Sequence, residues 1–507
     1  MNILLINPNN GFLPSTQPMP LGLLSIGSYL KAHGLRVRLY DRNIDKTTLE
    51  QVVEAFRPDA AGVSVISTQP LADGAAVSRV LRARGIPVVW GGQMASAAPE
   101  LVLREGAADY VVIGEGEAVF HALLLALEKK EDPSQIGGIA YLDENNAFCR
   151  TPEPPFADLA ALPVLDWSLV DPGKYFSSHM CCSKMTFLYR SKGCYSCCTF
   201  CSNESFHHCQ YRKRPDTHVL AEIRELAQGH GLNGVEFADE LFGVNKQELY
   251  EFCDSLRALR LPFVWGCSTR LNHLTREDLQ YMYDAGCRWI FYGVESGSPE
   301  MLRRIKKGIR LEKIGREFRD CREIGIAAYA GFIIGLPDET EDQLRETVRL
   351  MLRLETNFIN TLMFYPIPGS ALYNDLVKSG RLVPPGALQG LGAFSLFQQR
   401  SANYSNIPLR DLHVVQSFFH WRGFFGKNRL PGKKQHEFAR KTIATALRQI
   451  TKLGFWPMCK YVYSSAKIFF KIAWYRFAYP GIRKKYGLSK KQEAGGRRQE
   501  KREGESV

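Results

Sequence analysis

Short apolar runs alternate with longer amphipathic stretches along the first 130 residues. The apolar runs are rich in Val, Ile and Leu, as buried parallel strands are, and the stretches between them repeat apolar positions three or four residues apart, as helices do. We expect strands at Asn2–Asn7, Arg36–Tyr40, Ala61–Ile66, Pro87–Trp90 and Asp109–Ile113, and helices at Leu21–His33, Thr48–Phe56, Leu71–Arg84 and Ala118–Leu127. This order predicts an α/β domain over residues 1–130, built on a flavodoxin-like doubly wound parallel sheet.

Small or polar residues stand where these strands end. They include Asn7, Ser64, Gly91, Gly92, Gly114 and Glu115. Ligands of doubly wound sheets bind beyond the carboxyl ends of the strands, and paired glycines let a large ligand approach the backbone. The pattern therefore favours a ligand site at this edge. A flavodoxin-like domain with turn glycines and no cofactor is the alternative, because fold alone does not fix function.

The same alternation returns over residues 186–375. Each of six predicted strands is followed by residues that suit chemistry. After the first strand comes a cysteine-rich stretch, and after the others come Asp239 and Glu240, Arg270, Glu295 and Ser296, Gly335, and Pro366. Six strand–helix units predict a partial (β/α)6 barrel, and barrel enzymes keep their sites at this face.

The cysteine-rich stretch has the spacing C-x3-C-x2-C, formed by Cys194, Cys198 and Cys201. Three thiolates on one tight loop suit an iron–sulfur cluster. A [4Fe–4S] cluster normally takes four cysteines, so three leave one iron open to another ligand. The aromatic Phe200, just before the last cysteine, can shield such a cluster from water.

Two other interpretations of these cysteines stay open. A zinc knuckle would need a fourth ligand, which Cys209, His207 or His208 could supply, although zinc usually binds two C-x2-C pairs. Cys197 is a further thiol in the stretch, so a disulfide pair is the second alternative.

The cysteine spacing and the aromatic residue resemble the signature of the radical S-adenosylmethionine (SAM) superfamily. In that family three cysteines hold a [4Fe–4S] cluster and its open iron binds SAM. The resemblance implies site roles for several strand-end residues. Asp239 and Glu240 would hold the SAM ammonium, Arg270 would face the SAM carboxylate or the substrate, Glu295 and Ser296 would hold the ribose or methionyl part, and the segments around Gly335 and Pro366 would enclose adenine. The alternative is a structural role, in which Asp239 or Glu295 caps a helix or pairs with Lys307 or Arg303. The family motif G-x-I-x-G-x-x-E departs at its end, with Asp338 in the last place and Glu339 directly after it.

The first domain resembles the cobalamin-binding domain, which often carries D-x-H-x-x-G, then S-x-L, then G-G. The spacing is kept at Gly22, Ser64 and the Gly91–Gly92 pair. Met19 stands where that family has its cobalt-ligating histidine. The resemblance implies a bound cobalamin that lacks this lower ligand.

Charge is unevenly distributed along the 507 residues. The chain carries 65 Lys and Arg against 52 Asp and Glu, a net of +13. From residue 401 onward there are 23 basic and 6 acidic residues, which gives 23 − 6 = +17, so the remainder is 13 − 17 = −4. The basic character therefore describes a local contact of the C-terminal part. The 13 cysteines show no disulfide framework and the N-terminus shows no signal-peptide pattern, so we expect a reducing cytoplasm.

The remaining segments are predicted from composition. We expect a linker over 131–185, a helical region over 376–487 and a disordered basic tail over 488–507. Trp456–Tyr479 mixes aromatic and basic residues without reaching the length of uncharged apolar chain that spans a bilayer. It favours either a helical cap on the barrel or a peripheral contact with the inner face of the membrane. No nucleic-acid motif accompanies the basic residues.

The two resemblances together imply a cobalamin-dependent radical SAM enzyme that cleaves SAM reductively to a 5′-deoxyadenosyl radical. We expect C-methylation of an unactivated carbon, in a small-molecule or lipid-like substrate, with a flavodoxin- or ferredoxin-type electron donor. A cyclase or rearrangement enzyme of the magnesium-protoporphyrin ester cyclase type is the alternative among enzymes. From another class, the chain could be a cobalamin-binding sensor with a structural cluster.

Overall fold

A computed structural model describes residues 1–11, 17–68, 70–179, 181–388, 402–425, 470–475 and 477–488. The predictions for the tail beyond residue 488, and for the part of Trp456–Tyr479 before residue 470, lie outside the described residues.

The described elements are as follows. The strands are β1 (Asn2–Asn7), β2 (Arg36–Asp41), β3 (Ala60–Ser64), β4 (Val88–Gly91), β5 (Tyr110–Val112), β6 (Ile139–Leu142), β7 (Phe148–Arg150), β8 (Ser177–His179), β9 (Cys182–Leu188), β10 (Ser191–Lys192), β11 (Arg212–Lys213), β12 (Gly234–Phe237), β13 (Val264–Thr269), β14 (Cys287–Glu295), β15 (Ala327–Ile334) and β16 (Phe358–Met363). The helices are α1 (Leu21–Ala32), α2 (Leu49–Phe56), α3 (Leu71–Arg82), α4 (Gln93–Ala97), α5 (Pro99–Arg104), α6 (Glu117–Lys129), α7 (Asn203–His207), α8 (Asp216–His230), α9 (Lys246–Ala258), α10 (Arg276–Asp284), α11 (Pro299–Arg304), α12 (Leu311–Ile324), α13 (Glu341–Arg353), α14 (Ala371–Lys378), α15 (Leu409–Phe425) and α16 (Pro480–Lys485).

The first sheet has the strand order β2-β1-β3-β4-β5-β6-β7. Strands β1 to β5 are parallel, and the order reverses between β1 and β3, which is the switch point of a flavodoxin-like sheet. The predicted doubly wound architecture is confirmed. Residues 139–150, inside the predicted linker, add β6 and β7 as antiparallel strands at one edge.

Both faces of this sheet are buried, and β1 shows how. Leu4 and Ile6 pack into one apolar cluster, whereas Ile3 and Leu5 pack into the other. Successive side chains of a strand point to opposite faces, so a continuous apolar run is required where helices cover both sides. The central strands are thereby held firmly, with their carboxyl ends at one edge.

The second sheet has the order β16-β15-β14-β13-β12-β9-β8. Its strands from β9 to β16 follow the chain order and alternate with helices α8 to α13, as a partial (β/α)6 barrel requires. Neighbouring strands are hydrogen-bonded in parallel in the pairs β9–β12, β13–β14, β14–β15 and β15–β16. This prediction is also confirmed.

The chain divides into two compact units. Unit 1 comprises residues 1–177, 184–238 and 365–401, and unit 2 comprises residues 178–183, 239–364 and 402–507. No helix of the part described is long and apolar enough to cross a membrane.

Helix α16 and the residues beside it pack within unit 2. The buried carboxylate of Asp411, on α15, accepts hydrogen bonds from the Lys485 ammonium at 2.9 Å and from the Tyr486 hydroxyl at 3.2 Å. The His413 ring stacks on Tyr475 with ring centres 4.8 Å apart. These contacts fix α16 against α15.

Candidate active site

The three motif cysteines lie in unit 1 on one loop, residues 193–203, which we call the cysteine loop. Cys198 is buried, while Cys194 and Cys201 are partly buried, and none of the three belongs to a disulfide. The Ser196 amide donates to Cys194 Sγ, and the Asn203 amide donates to Cys201 Sγ, each at 3.4 Å. Amide donors to sulfur stabilise thiolate charge, and hydrogen bonds of this kind tune iron–sulfur clusters.

Asn203 organises the loop, although the sequence analysis did not single it out. Its Oδ1 accepts from the Cys194 amide at 3.1 Å, and its Nδ2 donates to the carbonyls of Cys194 and Ser196 at 2.7 and 2.9 Å. The side chain is buried. The Asn203 carboxamide thus joins the two ends of the cysteine loop, because it binds Cys194 nine residues earlier in the chain. The available signal was an asparagine at the start of the helix that follows the third cysteine.

The extra thiol of the stretch is taken up by a disulfide between Cys197 and Cys209, whose Cα atoms are 5.6 Å apart. Cys209 is then not available as a fourth ligand, and Cys194, Cys198 and Cys201 are the cysteines of this loop that lie outside the disulfide. Among the described residues no three His, Cys, Asp or Glu side chains converge as the ligands of a single metal ion do. Cysteines of an iron–sulfur cube bind different iron atoms and need not converge, whereas a zinc knuckle requires convergence. The arrangement fits the cluster better than zinc.

A two-stranded ribbon joins the two ends of the cysteine loop region. Strands β10 and β11 pair antiparallel, with Lys192 directly opposite Arg212. Lys192 Nζ donates to Glu117 Oε1 at 2.8 Å, and the Arg212 guanidinium donates to both oxygens of Glu115 at 2.5 and 3.0 Å. The Glu115 carboxylate predicted to contact cobalamin is therefore bound by Arg212.

Glu117 is the more buried of these two carboxylates. It also accepts from the Ser25 hydroxyl at 2.6 Å. Burial acts to raise the pKa of Glu117, but the Lys192 charge and the hydrogen bonds outweigh it, so the pKa is lowered and the group stays ionised. The carboxylate is thus a fixed negative charge at the start of α6.

The predicted cobalamin edge of unit 1 brings three of its residues side by side. Ser64 lies opposite Gly91 in the parallel register, and Asn7 ends the neighbouring strand. Asn7 Nδ2 donates to the buried Asp41 carboxylate at 3.0 Å, which also accepts from the Tyr175 hydroxyl at 2.9 Å. The amide of Asn7 therefore holds the β1 and β2 ends together.

The glycines of this edge differ in whether the surrounding structure requires glycine at that position. Gly92 has φ +96°, and a Cβ there would lie 2.8 Å from the Val65 carbonyl oxygen, so backbone packing demands glycine. Gly114 has φ +74°, and its amide donates to Ser96 Oγ at 3.0 Å. A Cβ at Gly22 or Gly91 would meet no atom within 4 Å. Their bare backbone faces open space, which fits a bulky cofactor at this edge.

Met19 is 5% exposed and packs into the protein. A thioether in this place offers no imidazole nitrogen, so the side chain that the cobalamin family uses as lower ligand is missing here in structure as in sequence. The residues present fit a cobalamin without that ligand.

The segment that begins at Pro366 packs against the cysteine loop inside unit 1. The Leu372 amide donates to the Thr199 carbonyl at 2.8 Å. A Cβ at Gly369 would lie 2.7 Å from Ser205 Oγ, so this turn sits directly on α7. Pro366 is buried and Phe200, beside Thr199, is partly buried.

Unit 2 holds the other predicted SAM contacts. Asp239 is buried and Glu240 is exposed. Lys307 joins Arg270 and Glu295: its carbonyl accepts from the Arg270 guanidinium, and its ammonium donates to Glu295 Oε1 at 2.8 Å. Glu295 is thus paired with Lys307, as the structural alternative for this carboxylate expects, and its contact with SAM stays a prediction.

The end of β14 has an unusual backbone. Glu295 adopts φ +67°, and the register of β14 against β15 shifts between Gly293 and Glu295. A left-handed non-glycine residue beside a bulge is strained and is held by its surroundings, which is common at functional sites. The side chain folds back over Gly293, where any Cβ would collide with its carboxylate. The bulge re-aims the carboxylate toward Lys307.

Ser296 is fully buried, and its hydroxyl serves the turn into α11. It hydrogen-bonds the Thr347 hydroxyl at 3.1 Å and accepts from the Ser298 amide at the same distance. It shapes the turn, and its contact with SAM stays a prediction.

Glu339, and not Asp338 at the last place of the family motif, provides the carboxylate that closes the Gly335 turn. Glu339 Oε2 accepts from the amides of Gly335 and Leu336 at 2.6 and 3.3 Å, whereas Asp338 is partly exposed and pairs with Arg304. The carboxylate that closes the Gly335 turn is one residue later than the motif predicts. Burial raises the pKa of Glu339 to about 7, against the lowering effect of the two amide donors.

The fold and the two sets of strand-end residues define a class of protein: an enzyme with a cobalamin-type doubly wound sheet ahead of a radical SAM barrel. Comparison with known families agrees. Residues 15–124 match the B12 binding domain, and residues 188–351 match the Radical SAM superfamily. The chain is a radical SAM enzyme with a cobalamin-binding domain, and its cofactors are those of the two domains: cobalamin, SAM and a [4Fe–4S] cluster.

Two relatives cover most of the chain. An uncharacterized methyltransferase of Pyrococcus horikoshii is 25% identical over 430 residues, which is 82% of this chain and 93% of that protein. The anaerobic magnesium-protoporphyrin IX monomethyl ester cyclase of Rubrivivax gelatinosus is 27% identical over 392 residues, which is 74% of this chain and 70% of that one.

A solved structure shares the fold along nearly its whole length. The radical SAM methyltransferase TsrM from Kitasatospora setae, with cobalamin and a [4Fe–4S] cluster bound, aligns with a TM-score of 0.68 at 18% identity. The alignment covers 88% of this chain and 99% of that chain.

Proposed function

We propose that this enzyme transfers a methyl group to an unactivated carbon of a small-molecule substrate. The observation that carries the proposal is the cobalamin edge of unit 1, where Gly22 and Gly91 leave open space and a buried Met19 replaces the lower-ligand histidine. With a methionine at residue 19, this position would give a bound cobalamin no imidazole ligand, and the cofactor would supply methyl-transfer chemistry. The methyltransferase names of the Pyrococcus relative and of the Kitasatospora structure support the same reaction.

The bound cofactors supply the radical and the methyl group, and the protein supplies positions and charge. Cys194, Cys198 and Cys201 hold the cluster. The buried carboxylate of Asp239 is suited to an ammonium group, and the Arg270 guanidinium, held by the Lys307 carbonyl, is suited to a carboxylate. The segment after Pro366 packs on the cysteine loop through the Leu372 amide and the Thr199 carbonyl, which limits access of water, and Phe200 on the same loop would shield the cluster.

The test is anaerobic reconstitution with iron, sulfide and hydroxocobalamin, followed by reduction with SAM present and product analysis. We expect both 5′-deoxyadenosine and S-adenosylhomocysteine. 5′-Deoxyadenosine alone, from protein loaded with cobalamin, would contradict methyl transfer and favour the cyclase reaction of the Rubrivivax relative. Neither product would point to the sensor alternative. Cys198→Ala should abolish both products, while Cys149→Ser, a free cysteine outside the loop, should change neither.

We further propose a peripheral contact with anionic lipid, which would place the enzyme in the cytoplasm at the inner face of the membrane. Residues 470–475 and 477–478 are helical, and Phe470, Trp474 and Phe477 recur at helical spacing with 69%, 63% and 55% exposure. Tyr475, on the opposite side of the helix, stacks on His413. Phe470 and Trp474 form an exposed apolar pair that Phe477, whose ring also meets Trp421 edge to face with ring centres 5.2 Å apart, extends, in a segment whose charges are basic only.

Flotation with phosphatidylcholine vesicles, with and without about 30% phosphatidylserine, tests this contact. We expect binding to the anionic vesicles only, lost in the triple variant F470A/W474A/F477A and kept in V383A, which removes an apolar side chain that is 81% exposed elsewhere. Equal flotation of the triple variant would refute the contact. An electron donor of flavodoxin or ferredoxin type remains a prediction.

A further inference from the structure

We propose that Lys192 and Glu117 are positioning residues that couple cobalamin binding to assembly of the cysteine loop. All the groups involved lie in unit 1, and the inference depends on the two cofactor sites and not on methyl transfer. The cysteine loop and its disulfide partner lie between the two strands of the ribbon formed by Ser191–Lys192 and Arg212–Lys213. Contacts that hold this ribbon in place therefore also hold the base of the cysteine loop in place.

The ribbon places two cations opposite each other. Lys192 and Arg212 are direct cross-strand partners, and like charges in that register are destabilising by themselves. Two carboxylates compensate them. Glu115 lies 3.6 Å from Lys192 Nζ and 2.5 Å from the Arg212 guanidinium, and Glu117 lies 2.8 Å from Lys192 Nζ. The ribbon is therefore stable in this register because the two carboxylates are present.

Both carboxylates come from the predicted cobalamin edge. They belong to the stretch Gly114-Glu-Gly-Glu117, which follows β5, opens α6 and contains two of the residues predicted to contact cobalamin. Ordering this stretch around a cofactor fixes Glu115 and Glu117, and these fix the ribbon. By thermodynamic necessity the effect is reciprocal, so a loaded cluster must favour cobalamin by the same factor.

The ion pairs are shielded from solvent. Side-chain exposure is 18% for Lys192, 17% for Arg212, 10% for Glu115 and 6% for Glu117. Breaking a shielded pair leaves an unpaired charge in a low-dielectric place, and the effect is several times that of a surface pair. The Ser25 hydroxyl and, through it, the Tyr189 hydroxyl extend the network from Glu117 back to the strand that precedes the cysteine loop.

The sequence around the motif adds one constraint. Gly193, between Lys192 and Cys194, has φ +77°, and a Cβ there would collide with the Gln210 carbonyl. The chain thus turns sharply and tightly from the ribbon into the first cysteine. A shift of Lys192 passes directly to Cys194.

The experiment measures cobalamin affinity by visible absorbance, under anaerobic conditions, in two forms of the full chain: with the iron–sulfur cluster reconstituted and without iron. For the unchanged protein we expect the cluster to tighten hydroxocobalamin binding roughly tenfold, the effect typical of groups that orient metal ligands. In K192M and in E117Q this ratio should fall to about one, although both variants still take up iron.

The control is K213M, which removes the neighbouring ribbon lysine, whose partner Asp216 lies on α8 and not at the cobalamin edge. K213M should keep the tenfold ratio. A ratio near one in the unchanged protein would overturn the proposal, as would an unchanged ratio in K192M and E117Q. If K192M fails to fold, E117Q decides the matter from the cobalamin side, since it keeps the side-chain size and an acceptor oxygen. Methyl transfer is not measured, so failure here and failure of the proposed function are distinguishable.

Discussion

Glu339 illustrates how a single carboxyl group can be held by backbone amides and still resist ionisation. Two amides donate to Oε2, while Oε1 is buried without a hydrogen-bond partner. Burial removes the water that would solvate the anion, and this effect is larger than that of the two donors. The group therefore titrates near neutrality in the folded protein.

The pKa of Glu339 is about 7 in the folded protein, against 4.5 for an ordinary glutamate. Between these pH values the folded state therefore binds more protons than the unfolded chain. Stability from this group therefore falls as pH rises through that interval. Glu339→Gln keeps an acceptor and cannot ionise. We expect its thermal midpoint to rise relative to the unchanged protein from pH 5 to pH 8, by an amount equivalent to at most about 3 kcal/mol. Glu277→Gln, at a side chain that is 85% exposed, should show a flat difference, and the same flat difference for Glu339→Gln would disprove the assignment.

Gly91 gives a second prediction at this scale. Gly91→Ala adds a methyl group that meets no protein atom within 4 Å, so we expect an unchanged melting temperature. The methyl group would project toward the space assigned to cobalamin, and cobalamin affinity should fall at least tenfold, or about 1.4 kcal/mol. Gly315→Ala, on helix α12 and equally unobstructed, should leave affinity unchanged. Full cobalamin affinity in Gly91→Ala would place the cofactor elsewhere.

Residue-level prediction from the sequence succeeded where spacing alone carries the chemistry. The spacing of Cys194, Cys198 and Cys201 is visible in one line of sequence, and the structure places these three thiols on one loop, outside any disulfide. The pairing of Glu295 with Lys307 could be named as an alternative from the sequence, but the bulge and the left-handed backbone that direct the carboxylate there are not encoded in a local pattern. The closing carboxylate at Glu339 was displaced by one residue for the same reason: Asp338 adopts φ +60° and turns outward.

At the scale of elements, the cysteine loop combines one disulfide with three free thiols. Cys197 and Cys209 are joined across a span that contains Cys198 and Cys201. The bridge closes a loop of 12 residues and reduces the conformational freedom of the unfolded segment. Its contribution is to loop stability and not to the ligand set.

Replacing Cys197 by Ser should therefore leave the iron content of the reconstituted protein unchanged while making the cysteine loop more susceptible to protease. The reason is that the bridge stabilises the loop but donates no ligand. Iron content and limited proteolysis measure the two effects, and Cys198→Ala should show the opposite pattern, with iron lost. Loss of iron in Cys197→Ser, to the extent seen in Cys198→Ala, would make Cys197 a ligand and contradict the assignment.

Elements with strong periodicity were the ones the sequence predicted. The bounds of β1 agree to the residue, and those of α1 to one residue, since buried runs and amphipathic repeats are local signals. Strands β6 and β7 were missed because they are short, with only four and three residues. Their place is set by antiparallel pairing at a sheet edge, which is a tertiary effect that propensity does not report.

At the scale of the whole molecule, the described residues of the basic C-terminal part contact unit 2 through helix α16 and the residues beside it. Asp411 is buried and binds both Lys485 and Tyr486, and Lys485 also donates to Glu341 at 2.5 Å. A basic segment held by acidic groups can keep its outward side free for another contact. The position of this attachment could not be predicted, because its partners are separated by about 75 residues in sequence.

Asp411→Asn should loosen this attachment. The substitution removes the charge that pairs with Lys485 while keeping the shape of the side chain, so amide hydrogen exchange in residues 480–488 should accelerate roughly tenfold or more. Tyr486→Phe, which removes one hydrogen bond, should have a smaller effect. Exchange unchanged in Asp411→Asn would mean that packing alone holds α16.

The disulfide between Cys197 and Cys209 is an electron acceptor in addition to the cofactors. The enzyme works only after strong reduction of its cluster, and the same reductant can open the bridge between Cys197 and Cys209, a two-electron couple. Protein that carries the bridge should thus take up two electrons per chain beyond those accepted by its cofactors. In a coulometric titration this surplus would vanish in Cys197→Ser, and an iodoacetamide label would count the two thiols that appear.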